Sequence, residues 1–105
     1  MNNNTNQNTV QNDTLVEDTI RELCHLISIS NDEEFLYDFF NCLFTAPERK
    51  DISNRWLLVK EIDKGTTQRE IAKKFGMSLC KITRGSKELS KEDSAFRKML
   101  NLLQD

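Results

Sequence analysis

The sequence predicts an all-α chain, and three observations carry the prediction. Proline occurs once and glycine three times in 105 residues, so little interrupts a helix. Apolar residues recur three and four apart over long stretches, with almost no strand-like alternation. Cap residues stand at the ends of those stretches and divide the chain into six helices.

Residues 1–12 are rich in Asn, Thr and Gln, uncharged and nearly devoid of apolar groups. Such a segment buries too little to offset its ordering entropy, which predicts a disordered arm ahead of a helical domain over 13–105. Asp13 or Thr14 opens the first helix. Its stripe of Leu15, Val16, Thr19, Ile20, Leu23, Cys24, Leu26 and Ile27 runs at helical spacing and ends near Ser30. Ser30 or Asn31 caps a second helix, with Asp32, Glu33 and Glu34 in its first turn, the sign the helix dipole favours. Phe35, Leu36, Phe39, Phe40, Leu43 and Phe44 then form one apolar face holding four of the six phenylalanines. So small a chain has too little interior to cover both helices. Burial against a second copy, a homodimer, is the expected solution; folding back over a local core is the alternative.

Thr45, Pro47 and Glu48 start a third helix through a capping box with proline in the first turn. Ile52, Trp56, Val59 and Ile62 point inward along it, and Gly65 ends it. The next stretch reads as two short helices around a glycine. Thr67, with Glu70 three residues on, caps a helix over about 68–75, with Ile71, Ala72 and Phe75 inward. Gly76 stands where a helix stops in the left-handed region. Ser78 caps a helix over about 79–87 with Leu79 and Ile82 inward, completing a helix-turn-helix pattern over about 68–88. Ser90 with Asp93 caps a last helix carrying Phe96, Met99, Leu100 and Leu103.

Charge points to a partner. Residues 64–91 carry eight basic and two acidic side chains, a local net of +6, in a chain whose total is −2. A charge run on a helix is often only a solvated face. Coinciding with the turn glycine and both caps, it reads better as a footprint for double-stranded DNA. Several classes drop out. No apolar run reaches membrane-spanning length, and no signal peptide opens the chain, so a cytoplasmic protein is expected. Cys24, Cys42 and Cys80 are odd in number and lack C-x-x-C spacing, which argues against a disulfide framework or a zinc site. His25 has no ligand or base partners at useful spacing, and no nucleophile–base set is apparent, so no enzyme is expected.

The segment 45–89 resembles the bacterial tryptophan repressor family. The resemblance rests on Thr45, Glu48, Arg49, Arg55, Gly65, the run Gln68, Arg69, Glu70, and the run Ile82, Thr83, Arg84, Gly85, Ser86. The combination T-Q-R-E-I-A, a turn, and I-T-R-G-S is more specific than a generic helix-turn-helix, and the helices before it fit the family by pattern.

The resemblance implies an intertwined six-helix homodimer that takes free L-tryptophan as corepressor and then binds operators of tryptophan-biosynthesis genes. By position, Arg55 and Arg84 would flank the indole, with Arg84 also pairing the ligand carboxylate, as a planar guanidinium suits both tasks. Thr45 would line the pocket, Gly85 would leave room for the ring, and the carbonyls of Cys42 and Phe44 from the other subunit would accept from the ammonium. On the DNA side, Gln68, Arg69 and Lys73 would meet phosphates or groove edges. Ser78, Leu79, Cys80, Lys81 and Thr83 would stand at the base-facing start of the recognition helix, a docking geometry that the family itself exemplifies. Cys80 reads as a small contact surface rather than a reactive thiol.

This chain departs from the family in three places. Glu88 stands where serine is common beside the ligand, the link from Gly65 to Gln68 is one residue shorter than in the enterobacterial pattern, and Cys80 and Lys81 replace smaller base-facing residues. The leading expectation is a tryptophan-gated repressor. A constitutive or differently gated regulator on the same scaffold is the alternative, and a dimeric module that docks an acidic protein is a third.

Overall fold

The computed structural model describes the backbone of residues 5–104 and the side chains of residues 12–104. Among the described residues the chain is helical without strands: α1 (Thr5–Ser30), α2 (Glu33–Leu43), α3 (Ala46–Asp63), α4 (Gln68–Phe75), α5 (Leu79–Ser90) and α6 (Ala95–Leu102). Contacts divide it into two units between Leu43 and Phe44.

The first unit holds α1 and α2. Helix α1 begins at Thr5, ahead of the expected start at Asp13 or Thr14. Asn, Thr and Gln are middling helix formers, but no Gly or Pro stands among them, and a helix already nucleated on the apolar stripe extends at small cost. Of the arm expected over residues 1–12, residues 5–12 lie in this helix and residues 1–4 lie outside the described residues. The cap of α2 is Asp32, whose Oδ1 accepts from the Phe35 amide at 3.1 Å, and not Ser30 or Asn31. Ser30 donates to the Ile27 carbonyl instead, and Asn31 takes φ 48°, the left-handed turn that asparagine tolerates. No residue of α2 is buried, and Leu15, Val16, Ile20, Phe35, Phe40 and Leu43 are all exposed. By itself this unit covers neither apolar stripe.

The second unit contains the core. Thr45 caps α3 with both halves of the box in place: its hydroxyl accepts from the Glu48 amide, and Glu48 accepts from the Thr45 amide at 2.9 Å. Leu58, Ile71 and Ile82 form the buried centre where α3, α4 and α5 meet, with Ile62, Ala72, Phe75 and Met77 packed around them. Val59 and Leu100 are buried as well. Leu58 was not among the expected inward residues. In the run Leu57, Leu58, Val59 every position is apolar, so spacing alone does not select the face. Leu79, expected inward, is 62% exposed because it occupies the first residue of α5, before that helix reaches the core.

The joint between α4 and α5 follows its sequence signals. Thr67 accepts from the Glu70 amide at 3.2 Å, Gly76 closes α4 at φ 62° and ψ 31°, and Ser78 accepts from the Lys81 amide. A side chain at Gly76 would be strained in that conformation. The last helix is capped by Ser94, which accepts from Arg97, rather than by Ser90. Helix α5 runs on through Ser90, and the turn falls after it, with Asp93 at φ 57°.

One buried charge ties α3 to α4. Glu61 accepts from Lys74 at 2.8 Å and pairs with Lys64 at 3.1 Å. The Lys74 hydrogen bond first, and then Lys64, hold its carboxyl below the ordinary value of 4.5. The folded state therefore binds this proton more weakly than the unfolded chain. Its contribution to stability is complete above the ordinary value and is lost as pH falls through the lowered one. Urea midpoints should drop as pH falls below the ordinary value of 4.5, and drop less in Glu61→Gln.

Candidate functional site

The second unit bears an open cavity of about 610 Å³ bordered by α3, α5 and the start of α6. Ligand pockets run roughly 300–1,000 Å³, so the volume suits a small molecule. Its floor is apolar, from Ile52, Trp56, Val59 and Phe96, and its charged rim is Arg55, Lys81, Arg84 and Glu88. Helical spacing explains the convergence. Ile52, Arg55, Trp56 and Val59 fall three and four apart on one stripe of α3, and Lys81, Arg84, Gly85 and Glu88 do the same on α5.

Two carboxylates organise the rim. Asp51 accepts from Lys81 at 3.3 Å and pairs with Arg55 Nε at 3.4 Å, so it stands between a cavity arginine and an exposed lysine of α5. Its carboxyl is lowered from 3.8, chiefly by the Lys81 hydrogen bond. Glu88 accepts from Lys91 at 2.9 Å, which with the nearby Arg84 charge keeps its carboxyl below 4.5 and ionised at neutral pH.

Of the residues expected to hold a ligand, Arg55, Arg84, Gly85 and Glu88 border this one cavity. Phe44 and Thr45 do not, and Cys42 lies in the first unit. The Phe44 carbonyl accepts from Arg49 at 2.6 Å, and the Thr45 hydroxyl is engaged in the α3 cap. Replacing Thr45 with alanine is expected to cost about 1 kcal/mol of stability through the cap alone, measured by thermal or urea unfolding. Gly85 also has a packing duty: a Cβ there would lie 3.0 Å from Leu58 Cδ2 and 3.7 Å from Ile62 Cδ1. Its bare backbone lets α5 close on α3.

Gln68, Arg69, Lys73, Ser78, Leu79, Cys80, Lys81 and Thr83 are all exposed. Cys80 and Lys81 border the cavity as well, which sequence reasoning placed on the DNA side only. Reading α5 as a 3.6-residue wheel would have shown it, since both lie within a turn of Arg84. Ile52, Trp56 and Phe96 were read only as core, and they form the cavity floor. The positive charge is also redistributed by pairing. Lys64 and Lys74 serve Glu61, Lys81 serves Asp51 and Lys91 serves Glu88, while Arg69, Lys73, Arg84 and Lys87 have no salt-bridge partner among the described residues. No helix among the described residues is long and apolar enough to cross a membrane.

Comparison with known proteins bears on this arrangement. The profile of the Trp repressor protein family matches residues 18–104. A protein of Chlamydia trachomatis serovar L2 named Trp operon repressor homolog is 41% identical over 76 residues, covering 71% of this chain and 81% of that protein. A namesake in Chlamydia caviae is 40% identical over 83 residues, covering 78% and 79%. Another in Vibrio campbellii is 34% identical over 86 residues, covering 80% and 86%. No solved structure gives a significant match. With the profile spanning nearly all the helices, the chain belongs to the Trp repressor protein family.

Proposed function

We propose that this chain is a DNA-binding transcriptional repressor of tryptophan-biosynthesis genes, active as a homodimer and gated by L-tryptophan. The observation that carries the reading is the shared cavity of Arg55 and Arg84, whose wall is the helix that exposes Ser78, Leu79, Cys80, Lys81 and Thr83. An indole between two guanidinium planes, with its carboxylate on Arg84, would set the angle at which α5 leaves the unit. The helix-turn-helix formed by α4 and α5 is then the reading head, and Arg69 and Lys73 supply phosphate contacts. Gating extends only as far as tryptophan's preference for one head position over the other.

The apolar stripes of the first unit, which lie open in a single chain, support the dimer part of this reading. A second subunit would bring the carbonyl of Cys42, in the last turn of α2, together with that of Phe44 toward the ligand ammonium. Helix-terminal carbonyls lack intrahelical donors and carry the negative end of the dipole. Calorimetry of the purified chain with L-tryptophan tests the reading: saturable heat is expected. The second reading, a constitutive or differently gated regulator, is favoured by Thr45 and the Phe44 carbonyl already having partners. It predicts no heat with tryptophan while DNA binding persists and weakens steeply with salt.

A further inference from the structure

Lys81 is the third residue of α5, at the helix start proposed to face base edges. Its ammonium does not stand free there. It donates to Asp51 Oδ1 at 3.3 Å, across the gap from α5 to α3. Arg55 Nε meets the other oxygen, Oδ2, at 3.4 Å and holds the carboxylate from the cavity side. Of the two cations, Lys81 has the larger effect on the Asp51 carboxyl. Both side chains of the Lys81–Asp51 pair are close to half-exposed. An exposed pair contributes little to stability, so the fold does not need it. A duplex can reach it, and a phosphate drawn to Lys81 meets the Asp51 carboxylate as well. A cation already balanced by a neighbouring anion neutralises no phosphate and displaces no condensed counterion.

We propose that Asp51 is a specificity-determining residue of the DNA-reading head, holding Lys81 against α3 and thereby out of phosphate contact with random duplex. This inference rests on the DNA-binding part of the proposed function and is independent of tryptophan. Non-specific affinity comes from phosphate contacts, and sequence preference from base edges. With Lys81 balanced, the phosphate contacts fall to Arg69 and Lys73 of α4 and Lys87 of α5. None of those three has a salt bridge among the described residues, and Arg84 borders the cavity. A phosphate contact withheld lowers affinity for the large excess of random sites and leaves contacts to base edges intact. Asp51 thus raises the ratio of operator to random binding by weakening the second.

Fluorescence anisotropy of the full chain with a labelled random-sequence duplex, titrated from about 50 to 200 mM salt, tests this. Lys81→Ala alone is expected to bind within about twofold of the native chain and to keep its salt slope, because the lost cation neutralised no phosphate. Asp51→Asn releases Lys81. Affinity at about 100 mM salt should then rise roughly threefold or more, and the slope of log affinity against log salt should steepen by about 0.9, the value of one phosphate contact. Asp51→Glu keeps the charge and should behave as the native chain does. Combining Asp51→Asn with Lys81→Ala should return both quantities to native. Circular dichroism identifies any variant that fails to fold, and Lys81→Ala decides without Asp51→Asn. A Lys81→Ala slope shallower by about 0.9 overturns the inference. So does an Asp51→Asn variant that binds no tighter, or one that tightens equally with and without Lys81, the mark of plain charge removal. No binding of duplex by the native chain at the lowest salt overturns the DNA reading and this inference with it.

Discussion

Replacing Arg84 with alanine is expected to weaken L-tryptophan binding roughly 100-fold or more, while the chain stays folded. The side chain is asked to do two things at once: stack on an aromatic face and pair a carboxylate. Stacking contributes about 0.5–2 kcal/mol and a charged hydrogen-bonded pair about 1.5–3 kcal/mol, a combined range of about 2–5 kcal/mol whose middle lies above the roughly 2.7 kcal/mol of a hundredfold change. Arg84 is exposed on α5, so its removal leaves the Leu58, Ile71 and Ile82 core in place. Arg84→Lys keeps the charge and loses the planar fork, and should recover only a minor part of the binding. Calorimetry measures both variants against the native chain.

Ile82→Ala is the substitution expected to damage the fold most. Ile82 has no exposed surface and sits where α5 meets α3 and α4, packed with Leu58 and Ile71. Truncating an isoleucine in such a site costs about 2–5 kcal/mol, the lost transfer energy plus the cavity left behind. A small unit with so few fully buried residues has little reserve, so the variant should lose most of its cooperative unfolding transition. Urea melts followed by far-ultraviolet circular dichroism measure it. Because α5 is held by this residue, DNA binding should fall with stability, whereas Arg84→Ala should separate the two.

Local chemistry explains what the sequence made legible. Thr45 with Glu48, Thr67, Gly76 and Ser78 each announce a helix end through bonds spanning three or four residues, and the structure places ends at all of them. Where several polar residues follow one another the choice went elsewhere. Asp32 caps α2 and Ser94 caps α6, because Asn31 and Asp93 take the left-handed turns just before them. Turn conformation depends on how the flanking helices must travel, which no short window contains.

The site was legible to a different degree. Arg55, Arg84, Gly85 and Glu88 came from the family resemblance, and the structure sets them around one cavity. Periodicity marked Trp56 as an inward residue, yet inward did not distinguish core from cavity floor. The clasp of Lys64 and Lys74 on Glu61 was hidden because Lys74 lies thirteen residues from its partner. So was the bond from Lys81 to Asp51, thirty residues apart. Charge counting alone would credit all of these lysines to DNA, while the geometry leaves Arg69, Lys73, Arg84 and Lys87 without a salt bridge among the described residues, and of these Arg84 borders the cavity.

The central claim is that tryptophan controls DNA binding by this chain, and a gel shift tests it most directly. The promoter of the same organism's tryptophan-synthesis genes is titrated with the protein at fixed salt, with and without L-tryptophan. The account predicts a retarded complex at much lower protein concentration when tryptophan is present. Identical titration curves in the two conditions would contradict it.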